Sequence, residues 1–203
     1  MNRKSLPFAF LIILLAFSLH AQDQKKIEAY VDDITDRGLT RILYWNTAAN
    51  SAAGELAIDY GRPKWKAEYE AAGAFDQMTK GKTWRLGKDL WTTLDTNLPL
   101  KIGSQTIAPG SYYLGVHRSA DGAAWSLGFI DPAKARSTKL DAFEIEKATL
   151  LFKVPLSFKT TTAANDALSI SLSNAKDDLK NVALRLVWGK FELTTPIQVV
   201  VGN

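Results

Sequence analysis

The chain has 203 residues, with 25 Lys or Arg, 21 Asp or Glu and no Cys. Without Cys, disulfides, thiol catalysis and thiolate metal sites are excluded. The two histidines are His20 and His117, so a His-rich metal site or a Ser-His-Asp triad has few candidate residues.

The first 21 residues have the layout of a secretory signal peptide. Arg3 and Lys4 form the positive start, and an apolar run of 14 residues ends at Leu19, before His20-Ala21. The alternative is a membrane anchor, but a helix of that length spans only about 21 Å, less than the roughly 30 Å hydrocarbon core. We expect cleavage after Ala21 and a periplasmic or secreted bacterial protein with no stable membrane span.

Cleavage would remove Arg3 and Lys4 and lower the formal net charge from +4 to +2. The remaining basic residues are scattered, and Lys25-Lys26 is their longest run. Nucleic-acid binding needs a concentrated basic surface. We therefore expect no nucleic-acid partner.

Residues 22–54 predict a short N-terminal helix followed by a linker. Apolar residues there have the spacing of one helix face: Ile27, Tyr30, Val31 and Ile34. Gly38 is a plausible end of that helix. Arg41 to Trp45 has the composition of a strand, and the small, polar stretch from Thr47 to Gly54 indicates a loop.

Residues 55–203 predict an all-β domain. Apolar residues alternate with polar ones in many short runs, most regularly between Leu150 and Phe158 and between Val182 and Trp188. Pro63 suits the first position of one short inserted helix, with Trp65 and Tyr69 on one face. Eight to ten strands with one apolar face each favour an antiparallel β-sandwich, of which a jelly roll is one form.

Three motifs together resemble a known family. They are Asp59-Tyr60-Gly61-Arg62-Pro63, Thr83-Trp84-Arg85-Leu86-Gly87 and Ile107-Ala108-Pro109-Gly110-Ser111-Tyr112. In order and spacing they are similar to the domain-of-unknown-function family 2911, whose members are exported bacterial β-rich proteins. Leu186-Val187-Trp188-Gly189 is similar to the end of such domains, so the resemblance covers roughly residues 55–201. It implies a β-rich fold and no established activity.

The chain departs from that family in two places. Lys88-Asp89-Leu90-Trp91 stands where members usually carry Ala-Asn-Glu, so the Glu carboxylate is absent. Asp131-Pro132-Ala133-Lys134 and the residues after it lack the Trp-Gly pair that members tend to have. If those positions form a polar site in the family, this chain has changed it.

The Trp-Arg-x-Gly box allows two interpretations. Trp84 and Arg85 suit a ligand platform, with an indole that stacks on a ring and a guanidinium that binds an anionic group. Alternatively the box is a structural clamp, in which Arg85 or Arg62 pairs with a buried carboxylate such as Asp59 or Asp89, and Gly87 adopts a positive φ.

Three further residues are candidates for ligand binding. Trp91 lies on the face of its strand opposite Leu90 and Leu94, and Tyr113 and His117 share one face of a later strand. A neutral His can serve as a general base near pH 7. The alternatives are ordinary burial for the aromatic residues and a surface histidine without catalysis.

No P-loop, dinucleotide fingerprint, zinc-protease helix or serine-hydrolase elbow is present, so we assign no catalytic residue and expect no metal and no cofactor. Our leading hypothesis is a non-enzymatic envelope protein that binds a small molecule, a glycan or a protein partner. The alternatives are a hydrolase-like enzyme with an Asp/Glu acid-base pair, and a purely structural or assembly module.

Overall fold

The computed structural model describes residues 36–201. The predicted signal peptide and the predicted helix at residues 27–34 lie outside them. Within the described residues, no helix has the length and apolar character that a membrane crossing requires.

Ten strands form most of this region. They are β1 (Arg37–Asn46), β2 (Ser51–Gly61), β3 (Thr83–Arg85), β4 (Thr92–Thr96), β5 (Leu100–Ile102), β6 (Gln105–Ile107), β7 (Gly110–Arg118), β8 (Trp125–Ile130), β9 (Leu150–Ala175) and β10 (Asp178–Val199). The helices are short: α1 (Ala74–Thr79), α2 (Pro132–Ser137) and the 3-10 helices Ala67–Glu70 and Ala142–Lys147.

The strands pair antiparallel in the order β1-β2-β4-β7-β8-β9-β10-β5-β6, and β3 adds to β7. The long strand β9 joins the two halves of this order: residues 150–156 pair with β8, and residues 157–175 pair with β10. The predicted all-β antiparallel class is confirmed. The hydrogen-bonded strands form one open sheet, and the finer sandwich arrangement stays a prediction.

The sheet begins nearer the N-terminus than the predicted domain boundary at residue 55. Gly38 lies inside β1 and does not end a helix, because it pairs with Tyr60 of β2. A Cβ at this position would lie 2.5 Å from the Tyr60 ring, so glycine fits there. The loop predicted from Thr47 to Gly54 is shorter in the structure and consists of the turn between Asn46 and Ser51. The Asn46 side chain accepts a hydrogen bond from the Ala49 amide at 2.9 Å in this turn. Residues 51–54 continue as strand because they pair with β1.

The inserted helix predicted to begin at Pro63 begins later and is divided into two short helices. The chain there is extended: Lys64 pairs with Ala167 of β9, and the Leu168 amide donates to the Pro63 carbonyl at 3.0 Å. These tertiary hydrogen bonds override the helical spacing of the apolar residues. Helical structure follows only as the 3-10 helix Ala67–Glu70 and then α1.

Helix α2 was not predicted, although the sequence carries its start. The Asp131 carboxylate accepts hydrogen bonds from the amides of Ala133 and Lys134, and Pro132 occupies the first turn. An N-terminal Asp cap followed by Pro is a known helix start.

One apolar core unites strands that are distant in the sheet order. Leu56 of β2, Leu114 of β7, Phe129 of β8 and Leu184 of β10 are all fully buried in the same cluster. Tyr60 joins them through its hydroxyl, which donates to the Ile170 carbonyl and accepts from the Ile170 amide. The alternating apolar positions of the sequence therefore point to a shared interior.

Glu192 is an acidic residue inside this β structure, with only 3% of its surface exposed. Its carboxylate lies 2.6 Å from the Arg185 guanidinium and 2.9 Å from the Lys159 ammonium. Hydrogen bonds from Arg185 and then from Lys159 lower the pKa of Glu192. The two cations are themselves substantially exposed, so they cover the carboxylate from the solvent side.

We expect Glu192 to stabilise the fold in a pH-dependent way. Because its pKa is lower in the folded than in the unfolded chain, its contribution is complete above the unfolded value and is lost as the pH falls through the folded value. Glu192→Gln should lower the free energy of unfolding by about 1–2 kcal/mol at neutral pH and by much less near pH 3. Urea unfolding at both pH values measures this.

The matched control is Glu55→Gln, because Glu55 is exposed and lies 3.5 Å from an exposed Arg41. Its loss should stay below that of Glu192→Gln at neutral pH, since exposed ion pairs contribute little. Equal losses in the two variants would contradict the role of Glu192.

Candidate functional site

A cavity of about 250 Å³ lies beside Trp84, and seven of its sixteen lining residues are aromatic. Tyr69 and Phe75 come from the chain between β2 and β3. Trp84 and Trp125 come from β3 and β8. The long strands contribute Phe158, Trp188 and Phe191. Aliphatic side chains, among them Val116 and Leu193, fill the spaces between the rings.

The aromatic rings support one another. Phe75 stacks on Phe191 with 3.9 Å between centroids and 8° between planes, and Trp125 stacks on Phe158 at 5.6 Å. Trp65 meets the edge of Trp188 at 5.1 Å, just behind the wall. Such contacts add about 0.5–1.5 kcal/mol per pair beyond burial, so they hold the wall in place.

The extended segment after β2 positions the first part of this wall. The Trp65 amide donates to the Asp166 carbonyl at 2.7 Å, and the Trp188 indole donates to the Pro63 carbonyl at 2.9 Å. The Trp65 indole donates to Glu70 at 3.0 Å. The segment is therefore fixed to the β9–β10 hairpin from both sides.

Arg118 fixes the second part, helix α1. Its guanidinium lies 2.7 Å from both the Asp76 carboxylate and the Thr79 hydroxyl, and it also donates to the Gly122 carbonyl at 2.9 Å. The same group lies 4.9 Å from the Trp125 ring centroid. Sequence reasoning missed Arg118 because Asp76 and Thr79, which it binds on α1, are about 40 residues away.

The first two family-like motifs meet backbone to backbone at the edge of the cavity. A Cβ on Gly61 would lie 2.8 Å from the Lys88 nitrogen, so only Gly fits there. Gly87 has a φ of 129°, which confirms its predicted positive φ. The Thr92 hydroxyl donates to the Leu86 carbonyl and completes the junction. These contacts explain why both positions 61 and 87 are glycine.

Strand register places Trp84 and Arg85 on opposite faces of β3. Trp84 pairs with Val116, and both line the cavity. Arg85 pairs with Gly115, and its guanidinium lies 3.6 Å from the centroid of the Phe143 ring in the 3-10 helix Ala142–Lys147. The indole and the guanidinium therefore leave β3 on opposite faces and do not form one flat platform, although both residues contribute to the cavity lining.

The predicted carboxylate clamp is wrong in its partners. Within residues 36–201, no carboxylate lies within ion-pair distance of Arg85, whose Nη1 donates only to the Asp89 carbonyl at 3.5 Å. Arg62 lies 3.8 Å from Asp36, and Asp59 pairs with Arg37 at 2.6 Å. Asp89 has a φ of 60° and contributes its carbonyl rather than its carboxylate.

Trp91 and Tyr113 belong to a second, smaller cluster away from the cavity. Their rings stack at 4.7 Å with 2° between planes, and Tyr113 is buried. Arg136 donates to the Tyr113 hydroxyl at 3.1 Å. The cluster also contains Ile145, so it holds α2 and the 3-10 helix Ala142–Lys147 against the sheet.

His117 also lies outside the cavity wall. Its Nδ1 is 3.0 Å from the Thr83 hydroxyl, on the face of β7 opposite Val116. Burial and then the charge of Lys153 lower the pKa of His117, which keeps the imidazole neutral at pH 7. No group of three His, Cys, Asp or Glu side chains in residues 36–201 is arranged to hold a metal ion.

The model of a protein family of unknown function, DUF2911, matches residues 42–197, and the chain belongs to this family. The match confirms the resemblance that the three motifs carry. No curated protein and no solved structure matches the chain. The family description assigns no activity.

Gly189 lies directly against the indole of Trp65, behind the wall. A Cβ there would lie 2.5 Å from Cε2 of Trp65, and the residue has a φ of 57°. Gly189→Ala should lower the free energy of unfolding by about 2–4 kcal/mol, because it combines a strained backbone with a displaced indole. Thermal and urea unfolding, together with tryptophan fluorescence, measure the loss and the displacement.

Gly81→Ala is the matched control. Gly81 has a similar φ of 72°, but a Cβ there would meet nothing closer than 3.7 Å. Its loss should therefore be about 1–2 kcal/mol, from the backbone alone. If both variants lose the same stability, Trp65 does not depend on Gly189.

Proposed function

We propose that this DUF2911 protein is a non-enzymatic bacterial envelope protein that binds a small apolar molecule in the aromatic cavity. The cavity is the observation that supports this proposal. It is a concave space of about 250 Å³, lined mainly by aromatic and aliphatic side chains. Ligand sites are typically concave and apolar, with a few polar groups that fix orientation. Transfer of apolar ligand surface from water to such a wall is favourable by about 25 cal/mol per Å².

The wall favours an apolar molecule over a glycan. Apart from tryptophan, the lining residues with polar side chains are few, namely Tyr69, Arg85 and Lys88. Arg85 is already stacked on Phe143, and Lys88 lies 3.4 Å from Asp36. A sugar would bury many hydroxyl groups here without hydrogen-bond partners, which is unfavourable.

The hydrolase alternative has less support. The cavity wall contains no carboxylate and no imidazole among the described residues. Acid-base hydrolysis needs such groups within reach of the scissile bond. The best-formed carboxylate pairings, at Glu192 and Asp76, are ion pairs with arginine and lysine.

The structural-module alternative leaves the cavity unexplained. Protein interiors are packed to nearly crystalline density, and a purely structural domain gains stability by filling such a space. The sandwich interpretation of the fold is part of the proposal. Tyr60 of β2 and Thr40 of β1 support it, because both hydrogen-bond to the backbone of β9, far from them in the sheet order.

Export is also part of the proposal, on the basis of the apolar run that ends before His20-Ala21. We expect the mature chain to begin at Gln22. N-terminal sequencing or intact-mass analysis of protein from the periplasm or medium tests this. A cytoplasmic product that still starts at Met1 would contradict it.

Binding is tested by thermal shift of the mature chain. Benzene, indole and naphthalene should raise the melting temperature, whereas glucose and N-acetylglucosamine should not. A ligand at ten times its Kd stabilises the native state by about 1.4 kcal/mol, which corresponds to roughly 3–5 °C for a chain of this size.

Leu193→Trp adds an indole to the cavity wall and should abolish the shift. Leu151→Trp is the control, because Leu151 is exposed on β9 and outside the wall. A shift with sugars alone would favour the glycan alternative. An unchanged shift in Leu193→Trp would place binding elsewhere.

A further inference from the structure

Trp84 carries a buried hydrogen-bond donor with no partner. Within residues 36–201, its indole Nε1 is out of contact with solvent and has no acceptor in range. Buried polar atoms are almost always hydrogen-bonded. Two other indoles near the cavity have partners, since Trp188 donates to the Pro63 carbonyl and Trp65 donates to Glu70. The Trp84 indole has none among the described residues, although the residue lines the cavity.

The aromatic rings around Trp84 have no lone pair that could accept a hydrogen bond from its indole N–H. Phe75, Trp125 and Trp188 surround the indole with centroids 6.2–6.4 Å away and steep angles between planes. Phenyl and indole side chains offer no acceptor atom. The best they provide is the face of a π-system, which is a weaker acceptor than oxygen or pyridine-type nitrogen.

The cavity volume limits the size of the ligand. An apolar cavity of about 150 Å³ holds a single benzene ring. The cavity beside Trp84 measures about 250 Å³, which gives room for two fused rings. Flat rings also match walls built from stacked aromatic side chains.

We propose that the cavity takes a flat, two-ring aromatic molecule with one hydrogen-bond acceptor, and that the Trp84 indole donates to that acceptor. In this structure Nε1 has almost no surface open to the cavity, so the proposed contact includes a rotation of the indole that brings its N–H to the ligand. The inference rests on the proposed function, because it names the ligand class of the same cavity. It also makes Trp84 a specificity-determining residue, because binding of a purely apolar ligand would not need a hydrogen-bond donor in the wall.

Quinoline and naphthalene are the probes. They have the same shape and size, but only quinoline carries an acceptor, its ring nitrogen. Burial of apolar surface alone would favour naphthalene, the less polar compound. Tighter binding of quinoline therefore reports the hydrogen bond.

Isothermal titration calorimetry of the mature chain at neutral pH gives both affinities. We expect quinoline to bind about tenfold more tightly than naphthalene, since a net hydrogen bond is of that order. Trp84→Phe keeps an aromatic ring but removes the donor, so the ratio should fall to one or below. Trp91→Phe is the matched control: Trp91 lies in the other cluster, so the ratio should be unchanged.

A second measurement avoids dependence on a folded Trp84 variant. In the ¹⁵N-labelled wild-type chain, the Trp84 indole proton should move downfield with quinoline and much less with naphthalene. An unchanged ratio in a folded Trp84→Phe, or equal shifts with both probes, overturns the role of Trp84 while the proposed function stands. If neither compound binds and no other aromatic compound does, both fail.

Discussion

The contact between Trp65 and the backbone at Gly189 is the constraint on which the rest of the site depends. Because residue 189 has no side chain, the Trp65 indole lies directly against β10 and meets Trp188 edge-on. The chain from Pro63 is thereby fixed along the β9–β10 hairpin. The residues that follow carry Tyr69 and Phe75 to the far side of the cavity, so its wall is assembled from segments more than 100 positions apart.

Strand register also places two neighbouring side chains, the Trp84 indole and the Arg85 guanidinium, on opposite faces of β3. Successive residues of a strand point to opposite faces, so the pairing of Trp84 with Val116 directs the indole to the cavity while Arg85 turns toward Phe143. The stacked pair Trp91 and Tyr113 lies in the cluster on Arg85's side of the sheet, with Ile145. The cavity is left with an apolar wall because the cations and the imidazole lie elsewhere or already have partners.

Sequence reasoning succeeded where structure depends on local pattern and failed where it depends on distant partners. The alternation between Leu150 and Phe158 predicts a strand because period two is a local property. The positive φ of Gly87 was predictable for the same reason. The predicted start of the helix at Pro63 was wrong because Ala167, more than 100 residues away, pairs with Lys64 and keeps the backbone extended. The partner of Arg85 was wrong because Phe143 offers a ring where a carboxylate was expected.

An apolar wall attracts flat molecules in proportion to their area but does not choose among them or fix their orientation. A single buried donor does both, because a ligand without an acceptor leaves the donor unsatisfied. For folding alone, Trp84 is a poor choice: its buried N–H without a partner costs about 1–3 kcal/mol, whereas phenylalanine would keep an aromatic ring in the wall with no donor. Local features that lower stability are typical of binding sites. Trp84 therefore fits a wall shaped for a ligand better than a wall shaped only for packing.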